Sequence, residues 1–250
     1  MKRAGLSRIT PTVLNLLRPS IRLIIGEQSE QPVTRLGGTP NMPENITWPT
    51  RKSGDPHSFL AQLDLAELGT CDGVPLPSRG SLFFFCDAEY LPERSDPDDV
   101  KDGIKVIYSS TSLSENVLRT PPGLNEEYVF KSYSLKPTPD LTAPAQDLWE
   151  IECLDLSDAE SSAYGELFAQ VCANDGSIHR IGGYPNQVQF NQLTGTDDAG
   201  ATDWRLLLQL DSENDAGMMW GDLGKLYFMI REHDLKSLSF EKTWMDWQCG

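Results

Sequence analysis

Histidine is scarce in this chain. There are three in 250 residues, His57, His179 and His233, and no two stand at a ligand-like spacing. Imidazole is the usual neutral-pH acid–base group and metal ligand, so a histidine-built centre is not expected. Cysteine offers no substitute. The five, Cys71, Cys86, Cys153, Cys172 and Cys249, are odd in number and form no CxxC pair. Neither a disulfide framework nor a zinc knuckle is indicated. Cys86 after SLFFF, and Cys153 alternating with Trp149 and Ile151, read as small buried hydrophobes. Free thiols fit a cytoplasmic, reducing setting. Positive charge is also short. Lys and Arg number 21 against 37 Asp and Glu, a net charge of −16. Such a chain repels phosphate backbones and anionic lipid, so neither nucleic acid nor a membrane is an expected partner. A basic protein surface or a cationic ligand is favoured instead.

Long apolar runs are missing too. The N-terminal VLNLL is five residues and ends at Arg18-Pro19, short of the about 7–15 of a secretory core. It reads as a short helix with Thr10 as N-cap, Pro11 at the first position, Val13, Leu14 and Leu17 as its stripe, and Pro19 as its stop. No G-x-S-x-G, Walker A loop, dinucleotide fingerprint or HExxH occurs, and no cofactor is expected.

What is present is self-similarity. RLGGTPN at 35–41 returns as RIGGYPN at 180–186, LAQLD at 60–64 as LLQLD at 207–211, and GSLFFF at 80–85 as GKLYFM at 224–229. Three blocks in one order with nearly constant spacing point to duplication. Each half then reads as a glycine bend, a strand, a turn and a second strand. Further strands are expected at 21–25, 104–108, 127–135, 149–153 and 236–240, and one helix at about 158–173. That helix has a Ser157–Glu160 capping box, a stripe of Tyr164, Leu167, Phe168 and Val171, and a stop at Asp175-Gly176. Residues 91–103 and 136–147, rich in Pro and Asp, read as a surface loop and the connector between halves. The expected fold is α+β and mainly antiparallel, internally duplicated about a pseudo-twofold with a few short helices. Its parts are an N-terminal helix and strand at 1–32, a first half at 33–135, a connector at 136–148 and a second half at 149–250, in one compact domain.

Gly37-Gly38, Pro40, Pro43, Trp48-Pro49, FLAQLDLAEL at 59–68, LP at 76–77 and GSLFFF carry a resemblance, with IGGYPNQVQ at 181–189, LLLQLDSEND at 206–215 and MMWGDLGKLYFMI at 218–230. Over about 33–230 the chain resembles the YwqG-like family of uncharacterised bacterial proteins, a domain of unknown function. The resemblance implies a compact, duplicated, β-rich cytosolic unit and no particular activity.

Candidate site residues follow from the repeats. Arg35 and Arg180 precede the bends, where each can cap carbonyls or pair with a carboxylate. Gln62 and Gln209 end the strands and can satisfy buried backbone. Asp64 and Asp211 follow them; a pseudo-twofold that joined the strand ends would make them an acid–base pair, while Asp64 before LAEL also suits a helix N-cap. Trp48, Trp204 and Trp220 can wall a pocket for a cation or a sugar-like ligand. In DSENDAGMMWGD, Asp211, Glu213, Asp215 and Asp222 stand at positions one, three, five and twelve, but Ala216 holds the sixth place where a calcium loop needs glycine. An acidic hairpin loop is the plain reading and an irregular cation site the other. The leading expectation is a non-enzymatic module whose groove between the halves binds a protein segment or small ligand. The alternative is a carboxylate-based or metal-assisted hydrolase.

Overall fold

The structure, a computed structural model, describes residues 5–30, 32–70, 73–93, 95–111, 115–172, 177–189 and 203–250. Its framework is an antiparallel sheet of ten strands. β1 (Arg18–Gln28), β2 (Arg35–Leu36), β4 (Ser58–Asp64), β5 (Ser81–Cys86) and β6 (Ile104–Ser109) come first. β8 (Tyr133–Thr142), β9 (His179–Gly182), β10 (Trp204–Asp211), β11 (Lys225–Arg231) and β12 (Trp244–Gln248) follow. A separate short pair joins β3 (Asn41–Met42) to β7 (Val117–Leu118). The order across the large sheet is β12-β11-β10-β9-β1-β8-β2-β4-β5-β6. Helices are few and short: α1 (Thr10–Leu16), α2 (Leu65–Leu68), α3 (Pro97–Gly103), α4 (Trp149–Glu152), α5 (Asp158–Cys172) and α6 (Glu232–Lys236).

The sheet nearly closes on itself. β5 and β11 are separated by six strands, which in a flat sheet would set them roughly 34 Å apart. Yet the rings of Phe84 and Phe228 stand 5.2 Å apart, edge to face. Alternation explains how. Leu82, Phe84 and Cys86 join Leu226, Phe228 and Ile230 in one central core, while Phe83 and Phe85 turn outward. There they meet Met42, Trp48 and Phe59 under the 41–59 segment. Tyr227 and Met229 likewise turn outward, against Leu206 and Trp204. Strands buried on both faces read as unbroken apolar runs, which is why SLFFFC and KLYFMI show no polar alternation.

Both glycine bends require glycine. Gly37 and Gly38 have φ of 61° and 76°, Gly182 and Gly183 of 68° and 71°. A Cβ on Gly38 would lie 2.5 Å from Ser132 Cβ, and one on Gly183 2.9 Å from Ser20 Cβ. β4 bulges against β5 between Phe59 and Ala61, and β10 against β11 between Leu206 and Leu208.

Several local expectations are corrected. α1 is capped by Ile9 rather than Thr10, whose hydroxyl donates to Leu6 O; of its stripe Val13 is buried and Leu14 is exposed, and Pro19 lies inside β1. Residues 149–152 are the helical turn α4, because a five-residue alternation suits one helical turn as well as a strand. Ile151 is buried there against Tyr164, and Cys153 is left exposed. Residues 236–240 hold the end of α6 and a break at Leu238, with φ of 57°. Residues 97–103 are α3, capped by Asp96. The strand expected at 127–135 begins at Tyr133 and runs on through Lys136–Thr142, where a connector was expected. Pro137 and Pro139 tolerate this because β2 starts only at Arg35, opposite Ser134. Leu135 N points to the β2 side, to Thr34 O. Residues 137 and 139 share that direction, where among the described residues no strand pairs with this stretch of β8. The Ser157–Glu160 capping box forms as expected. Asp175-Gly176 and the side chain of Val171 lie outside the described residues.

Candidate functional site

The acidic strand-end residues act on backbone. Asp64 accepts from Ala66 N and Glu67 N as the N-cap of α2. Asp211 accepts from Ile178 N at 3.0 Å and Ser212 N at 3.0 Å, with Lys225 Nζ 3.5 Å away. The two carboxylates do not meet. Leu63, Leu65, Leu208 and Leu210 occupy the core, so alternation turns Asp64 and Asp211 to the outer face of a sheet folded on its inner one. Glu213 is bridged to Met218, and Asp215 and Asp222 are exposed. Among the described residues no group of three His, Cys, Asp or Glu side chains is placed to hold a metal ion.

Gln62 and Gln209 are fully buried and make the same pair of bonds. Gln62 takes Asn41 N and donates to Val33 O; Gln209 takes Asn186 N and donates to Ile178 O, all at 2.8 Å. Arg35 donates to Thr39 O and Arg180 to Tyr184 O, each closing its glycine bend. Arg180 also lies 3.6 Å from Asp140, while burial lowers the Arg35 pKa to about 10. Trp48 and Trp220 are buried, their indoles donating to His57 O and Asp211 O. Trp204 is half-buried, with the Arg231 guanidinium 4.5 Å over its ring.

His179 is fully buried, and its Nδ1 accepts from Asp211 N at 3.1 Å. Burial, aided by Arg22 and Lys225, lowers its pKa to about 4. An unfolded histidine titrates near 6.5. As pH falls below that value the unfolded chain binds the proton first, so stability drops until about pH 4 and is whole above pH 6.5. The loss expected from this group is up to roughly 3 kcal/mol. Urea unfolding of the protein and of His179→Asn across this range checks it: the difference between their stabilities should shrink with falling pH, and a constant difference would contradict the assignment.

A broad concavity lies at one mouth of the sheet. A cavity of about 710 Å³ opens between the 51–58 turn, the loop after β5, and residues 123–125. A second, of about 500 Å³, shares Glu89 and Leu91 with it and reaches Tyr128, Phe130, Trp220 and Trp247. The second is walled on one side by residues 88–91 and 127–130 and on the other by 217–221 and β12. Trp247 ties the sides together by donating to Pro92 O at 3.1 Å.

Charge in this trench is one-sided. Asp55, Asp87, Glu89, Glu93, Asp99 and Glu127 line it, and Arg51 is the one cation among its described lining residues. Arg51 is already engaged. It bonds Asp87, Asp99 at 2.6 Å and Tyr90 O at 2.9 Å, with Asp102 at 3.7 Å. Desolvation opposes its charge, but the bonds to Asp99 and Asp87 outweigh it and raise its pKa. Partial desolvation and the neighbouring Glu127 and Glu89 raise the Tyr128 pKa, a local mark of negative potential. Carboxylates beside the exposed Tyr90 and the half-buried Tyr128 and Trp247 suit a cation with apolar parts. Of the residues singled out from sequence only Trp220 borders the trench. The one sequence feature near some of the others is the acidic run after GSLFFF, which composition presents as a solvated loop.

A family model described as Domain of unknown function (DUF1963) matches residues 34–249. No curated protein matches the chain. Among the described residues no helix is long and apolar enough to cross a membrane.

Proposed function

The chain thus belongs to the DUF1963 family, a domain of unknown function, and on that premise we propose that it is a non-enzymatic, cytoplasmic binding module for a positively charged ligand, built from one duplicated motif. The observation that carries the reading is the trench, with six carboxylates around a single engaged guanidinium and aromatic side chains on its walls. A hydrolase would draw on Asp64, Asp211 and Asp222. Asp64 and Asp211 hold separate stretches of backbone, and Asp222 is exposed.

Duplication is supported by correspondences across the sheet. Its order reads β12-β11-β10-β9-β1 from one edge and β6-β5-β4-β2-β8 from the other. Ser134 faces Arg35 as Arg22 faces Arg180, and Tyr133 faces Leu36 as Ile21 faces Ile181. One offset, 112, therefore carries β1 onto β8, and it maps the directly paired Ile24 and Lys136 onto each other. A twofold would pass through that pair. The bends obey a longer offset, 145, because α4 and α5 are inserted between β8 and β9. On this reading each half's first strand lies beside the other half's second, so the halves are interlocked and the trench forms at their rim.

Titration of the protein with hexa-arginine, followed by tryptophan fluorescence, tests the binding proposal. Saturable binding that weakens with added salt is expected, with hexa-glutamate inert. Glu89→Gln with Glu127→Gln should weaken it roughly tenfold or more. Equal binding by that double variant, or no binding at low salt, would refute the assignment of the trench.

A further inference from the structure

We propose that the opposite mouth of the sheet holds a separate binding site for a small carboxylate with a short apolar body. The start of β1, the end of β9 and the start of β10 converge there, since β9 runs antiparallel to both. Between them and the β4–β5 connection lies a cavity of about 210 Å³. Arg18 and Arg205 line it, and no carboxylate does among its described lining residues. In a chain of net charge −16 the lining residues thus carry only positive charge, each arginine having a carboxylate partner outside the lining.

The two guanidiniums act in one place. Arg18 stacks over the Tyr184 ring, 4.0 Å from guanidinium carbon to centroid. Burial raises the Tyr184 pKa, and the charges of Arg18 and Arg205 both work against that rise. Arg205 is oriented by its bond to Glu232 and by donating to Trp204 O at 3.0 Å. Arg18 is held loosely, 3.8 Å from Glu150, with both side chains substantially exposed. A guanidinium presents a planar fork that matches two carboxylate oxygens, and an incoming carboxylate can take the loosely held one. The other walls are apolar: Val74, Leu206 and Leu235. They suit a short hydrocarbon body and leave the small space ill-matched to a fully hydrated phosphate. The Gly182-Gly183 bend also lines the space; a Cβ on Gly182 would lie 2.2 Å from Val74 Cγ2, so glycine there lets Val74 close one wall against the bend.

Amide NMR of the full chain, titrated with butyrate at constant ionic strength, tests the site. Saturable shifts confined to Val74, Gly182, Gly183 and Arg205 are expected. Butyramide, which has the same shape without the charge, and inorganic phosphate should each bind at least roughly tenfold more weakly. Arg18→Gln, whose side chain is partly exposed, should retain the spectrum of the folded protein and weaken butyrate by a similar factor, as should Arg205→Gln. The proposal falls if butyrate shifts do not saturate or are scattered over the surface, or if butyramide or phosphate binds as well. Unchanged affinity in Arg18→Gln overturns it even if Arg205→Gln does not fold.

Discussion

Phe84→Ala is expected to destabilise the protein by about 3–5 kcal/mol, and Phe228→Ala by a similar amount. Both rings are fully buried, each from the strand next to an edge of the sheet, and they touch across the core at 5.2 Å. No backbone hydrogen bond joins β5 to β11; what holds the sheet curled at this point is apolar contact. Truncating one ring removes transfer free energy and opens a cavity that two curved walls cannot collapse to fill. Because the rings contact edge to face, the double variant should cost less than the sum of the singles by about 0.5–1.5 kcal/mol. Urea unfolding of the four proteins measures both quantities. A loss below about 1 kcal/mol for Phe84→Ala, or strict additivity, would mean that the space between the sheet's two wings is not a packed core. The distinction bears on function. If this seam is filled, a ligand has to bind at the mouths and not between the wings.

That outcome could be anticipated in part. SLFFFC and KLYFMI announce strands buried on both faces, since no polar residue marks a solvent side. The Gln and Gly-Gly signatures announce their own backbone roles for the same reason: buried polar groups and positive φ each have few solutions. The pairing of β1 with β8 was hidden. It joins residues more than a hundred positions apart, and the KPTPDLT stretch presents prolines that argue against a strand until it is known that, among the described residues, no strand pairs with it on the proline side. WEIEC and KSLSF misled because five residues are too few to separate a period of two from a single helical turn. Neither site could be read in advance. Arg51, Glu89, Tyr128 and Trp247 come from four separate stretches, and Arg18 and Arg205 from the ends of two strands brought together by β9. Convergence of that kind is a property of the nearly closed sheet and leaves no spacing in the chain.

Gln209→Leu and Gln62→Leu should each cost about 2–5 kcal/mol, because each removes both hydrogen bonds of a fully buried amide while nearly keeping side-chain volume. The bonds clasp the bends. Gln209 joins Ile178 O on one side of the Arg180–Asn186 turn to Asn186 N on the other, and Gln62 does the same for Val33 and Asn41. If the halves are copies of one motif, the two losses should agree within about 1 kcal/mol, since the bonds are equal in number and length and both glutamine side chains are fully buried. Their consequences for binding should nevertheless differ. Gly182 and Gly183 border the arginine-lined cavity, so loosening their bend disturbs the proposed carboxylate site. Gly37 and Gly38 border neither that cavity nor the trench. Urea unfolding should therefore rank the two variants together, while butyrate affinity, measured where both remain folded, should fall in Gln209→Leu and hold in Gln62→Leu. Unequal stabilities would count against the equivalence of the bends. Equal loss of butyrate affinity in both would show that the second bend has no special part in the site, leaving global loosening as the cause.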